Sequence, residues 1–446
     1  MKPAAVLLPA ARQPLAVLAA AMAAAAVLTL PADPASAADW PQWRGPARSG
    51  ISPESSGYPA GWPPKRLWAR NVGVGCTSPI LVGGRLYVMG WHGSDRSPRR
   101  PGGRDVVRCL DARTGKERWK QAYPARYQSR IRTGDTSAYG GPSSTPSYDP
   151  ETGYLYTLSI DGDLRCWNAT SGGKGVWGVN LHDAFKVPQR PDTGAGTRDY
   201  GFPGSPVVLG KTVVVEVGDD SGTVMALEKR RGKPVWRSEA REPGGHTGGP
   251  APFRVGGVPC LANLALRKLI VLRIDPGHEG QTVAEVPWST HYANNIPTPA
   301  VMDGHVLVTS SYNVSRTVLF EVTPQGLKEK WRVRDHAKVG SPVIHKGRVF
   351  LVQDALMCLD LASGRRLWQG GHFGHGSCLV TAGDDRLLVF GRGRLVLLDA
   401  LAKAYKELGK VDSLFRATCY PHPAIADGLV AVKDMKGNLA CLDTRK

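Results

Sequence analysis

The stretch GSPVIHKGRVFLVQDALMCLDLASGRRLWQG, Gly340–Gly370, decides how this chain is read. It holds four apolar runs of about five residues, each ended by a turn former, which is the pattern of four short strands. Pro342 opens the first run, where its missing N–H breaks no ladder bond. Lys346-Gly347 supplies one tight hairpin and Asp360 to Gly364 another, with Gly accepting positive φ and Asp bonding back onto its own turn. Val, Ile, Leu and Phe of the inner runs bury against a neighbouring sheet, and Trp368 on the fourth run fills the outer gap between sheets.

The same phrase returns along the chain. It opens at Ser78-Pro79, Thr145-Pro146, Ser205-Pro206, Gly249-Pro250, Thr298-Pro299, Ser341-Pro342 and His422-Pro423, and Trp119, Trp177, Trp236, Trp288, Trp331 and Trp368 mark the fourth run in six copies. Units of about 40–50 residues made of strand and turn are propeller blades, not the helix pairs of a solenoid. The expected fold class is therefore all-β, an eight-bladed β-propeller of four-stranded antiparallel blades. The blades fall at about 77–120, 144–180, 204–238, 248–290, 296–333, 340–370, 376–411 and 421–446. The eighth stops at Cys441-Leu-Asp-Thr444 without its Trp strand, and that strand appears at the other end of the chain as Arg66-Leu-Trp-Ala-Arg70. A ring closed by this N-terminal strand leaves no open edge to recruit another chain. Little helix is expected outside Ala400–Leu408.

Ahead of the blades, Lys2 and Arg12 precede an apolar stretch from Pro14 to Leu30, followed by Ala35-Ser36-Ala37. A charged start, an apolar middle and small residues before a cut describe a secretory signal. Residues 1–37 are expected to be a signal peptide cleaved after Ala37, 38–64 an N-terminal extension and 65–446 the propeller. The mature chain is expected to be exported, periplasmic or in the cell envelope, unless the first segment stays as an anchor. Formal net charge is +19, and removing Lys2, Arg12 and Asp33 leaves +18, so anions gather on the chain without its charge naming which. Export removes nucleic acid as a partner. A protein partner or an acidic polysaccharide remains, with peripheral envelope association possible for what is expected to be a monomer.

Four of the eight cysteines, Cys109, Cys166, Cys358 and Cys441, occupy one repeat position and read as small buried hydrophobes. Cys76 and Cys419 precede the first strands of blades one and eight, neighbours in a closed ring, so a disulfide there would clip it shut. Spacing alone leaves that open. No Cys-x-x-Cys or Cys/His cluster suggests zinc.

In a propeller, the links into each inner strand and those between second and third strands emerge on one face. Here they are long, at Trp91–Asp105, Gln121–Pro142 and Leu181–Pro203. They carry His92, Arg96, Arg99, Arg100, Arg104, Arg130, Arg132 and Arg198, and Arg favours bidentate contact with carboxylate, sulfate or phosphate. Nearer the axis, Tyr200, His246, His291, Tyr292, Asn295, Lys338, His375, Tyr420 and His422 precede inner strands and are expected to ring a funnel. Aromatic faces with neutral hydrogen-bonding groups suit a sugar or a planar acid. No nucleophile elbow, metalloprotease helix or phosphate loop occurs.

Gly84-Arg-Leu-Tyr87, the phrase Cys109-Leu-Asp to Trp119 and the opening Asp39-Trp-Pro-Gln-Trp-Arg-Gly-Pro46 resemble the pyrroloquinoline-quinone-like β-propeller repeat family across nearly all of the mature chain. The resemblance implies two functional classes. One is a cofactor-free scaffold of outer-membrane β-barrel assembly, which implies an exported, non-catalytic protein that engages a partner protein or acidic polymer through its loop-bearing face. The other is a quinoprotein oxidoreductase acting on an alcohol or sugar, with the quinone held between a Trp and a disulfide of adjacent cysteines and with calcium and a catalytic Asp alongside. This sequence has no adjacent cysteines. The expectation is the scaffold, with no cofactor and no catalytic or metal residues.

Overall fold

The computed structural model describes residues 39–94, 102–125, 141–187, 201–291 and 295–445. These form eight sheets, each built of four antiparallel strands and arranged as a propeller. Blade one holds Ile80–Val82, Arg85–Ser94, Gly102–Asp111 and Glu117–Pro124, and the other seven follow the same inner-to-outer order. The last blade is completed from the chain's beginning, where Lys65–Asn71 pairs antiparallel with Asn438–Asp443 and sets Trp68 opposite Cys441.

The repeated phrase has a mechanical meaning at both ends of the blade. At the outer end, five Trp indoles donate to a carbonyl in the turn before the next blade's fourth strand: Trp68 to Ala112 at 2.8 Å, Trp119 to Ala169 at 3.1 Å, Trp177 to Lys229 at 3.0 Å, Trp331 to Leu361 at 2.8 Å and Trp368 to Ala402 at 2.9 Å. In four of these turns the ring lies on a glycine, Gly115, Gly173, Gly232 or Gly364, where a Cβ would come within 2.6 Å of the indole. Trp288 departs from the pattern, since it follows its strand and donates to Ser310 instead. Blade seven has no Trp on its fourth strand, and Trp62 of the N-terminal extension packs over Gly409 there.

Gly173 tests this docking. Its φ is +72° and a Cβ would stand 2.5 Å from Trp119, whereas neighbouring Gly172, at φ +68°, opens onto empty space. Both alanine substitutions meet the same left-handed strain. Gly173→Ala is expected to destabilise by about 1–3 kcal/mol more than Gly172→Ala, since only the former overpacks the Trp119 contact. Paired denaturant titrations read that difference, and equal losses refute the docking role.

At the inner end, the Ser or Thr before each proline links one blade to the next. Ser78 Oγ accepts from the His422 N–H at 2.8 Å, Thr145 Oγ1 from Ser78 N–H at 3.1 Å, Ser205 Oγ from Thr145 N–H at 2.9 Å and Ser341 Oγ from Thr298 N–H at 3.0 Å. Where Gly249 stands in the hydroxyl position, the Ser205 N–H turns to the Gly248 carbonyl at 3.0 Å. A belt of hydrogen bonds thus runs around the axis, satisfying buried backbone donors that no ladder can reach.

Two expectations change and one open question closes. Ala400–Leu408 is not helical: Arg348 and Trp368 both hold the Ala402 carbonyl, so interblade contacts override the helix propensity of Ala, Leu and Lys. Among the described residues the one α-helix is Leu181–Phe185, capped by Asn180. The described residues of Trp91–Asp105 are strand, because the second and third strands of blade one pair as far as Ser94 and Gly102. No disulfide joins Cys76 to Cys419. Cys419 Sγ is buried and instead accepts from Gly393 N–H at 3.3 Å.

Candidate functional site

The N-terminal extension enters the propeller. Trp40 forms a bridge with Leu81 at the end of blade one's inner strand, and Ile51–Ser52 adds a parallel fifth strand to blade seven beside Val380 and Thr381. Between them, two tight turns send three side chains into the axial channel. Arg48, 2% exposed, donates to the carbonyls of Pro250 at 3.1 Å, Pro206 at 3.3 Å and Gly248 at 2.8 Å. Arg44, fully buried, donates to Pro342 and to Ser49. Prolines that open inner strands therefore present their carbonyls to these guanidiniums. Burial holds Arg44 down to about 10 and Arg48 to about 9; Arg44 adds to the latter shift and Glu216 opposes it. Carbonyl dipoles offset only part of the desolvation of a cation.

The third side chain, Trp43, makes the floor of a funnel. Its indole donates to Thr298 Oγ1 at 3.3 Å and meets the His422 ring edge-on at 4.4 Å. Above it is a cavity of about 120 Å³ whose walls include His246, Tyr312, Lys338, Tyr420 and His422. Lys338 Nζ stands 4.9 Å over the Tyr312 ring. His422 is fully buried and pushed well below the usual imidazole range, by burial first and Arg44 second, so it is neutral. His375, 6.0 Å from the Tyr420 ring, is lowered by burial and by Lys338, with Asp354 opposing.

Of the expected funnel residues, then, His246, Lys338, Tyr420 and His422 line one cavity and His375 stands beside it. Asn295 does not: it is buried, and its Nδ2 donates to the carbonyls of Ala265, Leu266 and Trp288, a purely structural role. His291 is exposed, with its backbone N–H on Asn313. His92 and Arg104 are paired across the long hairpin of blade one, exposed on the rim and away from the axis. Arg96, Arg99, Arg100, Arg130, Arg132, Arg198, Tyr200 and Tyr292 lie outside the described residues. Trp43, Arg44, Arg48 and Tyr312 went unassigned in the sequence. The Trp-rich opening motif from Asp39 to Pro46 was the available signal for Trp43 and Arg44, and Arg48 lies two residues beyond it.

The charge of the channel is lopsided. Arg44, Arg48, Lys338 and Lys433 lie in or beside it, against Glu216 and Asp434. Lys433 is fully buried, donates to the Gly75 carbonyl at 2.5 Å behind Cys76, and is lowered to about 8 by burial, with Cys76 and Asp434 opposing. No carboxylate lines the cavity, and no cluster of three metal-ligating side chains exists among the described residues. Among the described residues, quinone and calcium therefore find no matching ligands. Trp43 offers a ring, but the chain has no adjacent cysteines and no described carboxylate lines the cavity to hold a hard cation.

A family model described as outer membrane protein assembly factor BamB matches residues 103–370, more than half of the chain. The chain belongs to that family. Among solved structures, BamB from Moraxella catarrhalis is similar at 12% identity and TM-score 0.56, over 85% of this chain and 99% of that one. The quinohemoprotein alcohol dehydrogenase from Comamonas testosteroni is similar at 15% identity and TM-score 0.56, over 93% of this chain and 82% of its own. Sqt1 from Saccharomyces cerevisiae reaches TM-score 0.55 at 10% identity, over 86% of this chain and 100% of that one. At such identities the likeness is one of fold, which hosts unrelated activities. No curated protein matches the sequence significantly.

Proposed function

We propose that this chain is an exported, non-catalytic scaffold whose loop-bearing face engages a partner protein. The observation that carries this reading is the funnel itself: a ring with a positively charged centre and, among the described residues, no lining carboxylate and no set of ligands for calcium. Membership of the BamB family supports an envelope scaffold, and the net charge of +19 favours an acidic partner surface. His92, Arg104 and His291 are exposed on the same face as the funnel mouth, while hairpin residues such as Lys211 occupy the opposite one.

A photoreactive amino acid placed at His92 or His291 is expected to crosslink a protein in envelope extracts, and one at Lys211 is not. Crosslinking from both faces alike, or from neither, refutes a face-specific scaffold. The acidic-polysaccharide alternative makes a separate prediction. Retention on a sulfated polysaccharide would fall when Arg96, Arg99, Arg100 and Arg104 become Ala, while crosslinking would not appear.

A further inference from the structure

We propose that the funnel is a socket for an acidic side chain of the partner protein, its carboxylate seated over Trp43 beside Lys338. This rests on the scaffold reading and names the chemistry of the contact.

Three observations converge on it. First, the cavity of about 120 Å³ has room for a Glu or Asp side chain. Second, the walls suit both halves of such a side chain. Trp43, Tyr312 and Tyr420 offer faces for the methylene stem, and neutral His422 and the Lys338 ammonium meet the carboxylate. Among the described residues Lys338 has a ring beneath it and no carboxylate in ion-pair reach, so its charge is available. Third, the field behind the floor favours an anion. Arg44 and Arg48 lie buried below Trp43, facing neutral carbonyls, with Arg44 Nε and Nη1 left without a partner, and Lys433 stands behind Cys76; Glu216 offsets only part of this charge. A carboxylate entering from the mouth would gain from these charges across a low-dielectric wall, where salt screens little.

The test is fluorescence anisotropy of the full chain titrated with dye-labelled hexaglutamate and with hexaglutamine. Hexaglutamate is expected to bind and hexaglutamine not. Lys338→Met is expected to weaken hexaglutamate about tenfold, the loss of one charge-assisted contact, while Lys338→Arg retains it. Lys328→Met, an exposed lysine on the fourth strand of blade five, removes the same charge away from the funnel and is expected to change affinity by less than about twofold. Equal losses for the two Met variants would reduce the binding to general charge and overturn the socket. So would one-to-one displacement of the peptide by stoichiometric pyrroloquinoline quinone, which would assign the funnel to a planar cofactor. The two readings fail separately. A chain that crosslinks a partner from His92 but binds hexaglutamate regardless of Lys338 keeps the scaffold and loses the socket. Lys338-dependent peptide binding without any crosslinking keeps the anion socket and overturns the scaffold.

Discussion

Gly248→Ala is expected to destabilise the protein by about 3 kcal/mol, the upper range for overpacking a well-filled interior. A Cβ there would stand 2.2 Å from the indole nitrogen of Trp43 and 2.8 Å from Thr298 Oγ1, two groups that already hold one another. The Gly248 N–H donates to the same Thr298 hydroxyl at 2.8 Å and its carbonyl accepts from Arg48, so the backbone has little freedom to yield. The clash must instead push Trp43 off the funnel floor. A double-mutant cycle separates this from a general loss. Trp43→Ala is itself destabilising, but the pair with Gly248→Ala is expected to fall short of the summed losses by at least about 1 kcal/mol, because the small side chain removes the collision. Strict additivity in denaturant midpoints would show that Trp43 does not occupy the channel as described.

The second large effect is a pH dependence centred on Asp105. This carboxyl is 1% exposed between blades one and two, and no well-formed hydrogen bond reaches either oxygen, although the hydroxyls of Ser159 and Tyr123 lie alongside. Burial, with smaller contributions from Asp161 and Asp163, pushes it up to about 7. Below the ordinary carboxyl range both folded and unfolded states hold the proton and Asp105 costs nothing. Between about 4 and 7 only the unfolded chain releases it, so stability falls as pH rises, and above about 7 the loss is constant at roughly 4 kcal/mol. Asp105→Asn removes the titration. The variant is expected to match the parent near pH 4, gain steadily to pH 7 and then hold a constant advantage, read as the difference between parent and variant midpoints across a pH series. A difference that does not vary with pH would mean that Asp105 is ionised in the fold.

The blades were readable because each is a local object. A run such as Arg348 to Leu351 is a short continuous apolar strand that pairs with neighbours within about thirty residues, and the turn chemistry of Asp360 to Gly364 is satisfied by that turn itself. Closure was readable for a related reason: the Trp strand missing after Cys441 and the orphan strand around Trp68 are halves of one pattern. Asn295 was misplaced because its position before an inner strand matches that of true funnel residues. Only its three carbonyl contacts, drawn from residues up to thirty positions away, make it structural. Ala400–Leu408 was misread because propensity is local, whereas the two donors that hold Ala402 come from blade six.

What the amino-acid order determined by itself is the repeating unit, the number of blades and the way the ring is sealed, since all three follow from short-range periodicity and turn residues. The funnel was decided only in three dimensions. Arg44 and Arg48 look like ordinary solvated charges in and just after the opening motif, yet the fold carries them into the axis, where proline carbonyls of blades three, four and six converge on them. Burial and the field of distant groups belong to that arrangement of space, and no window of neighbouring residues contains them.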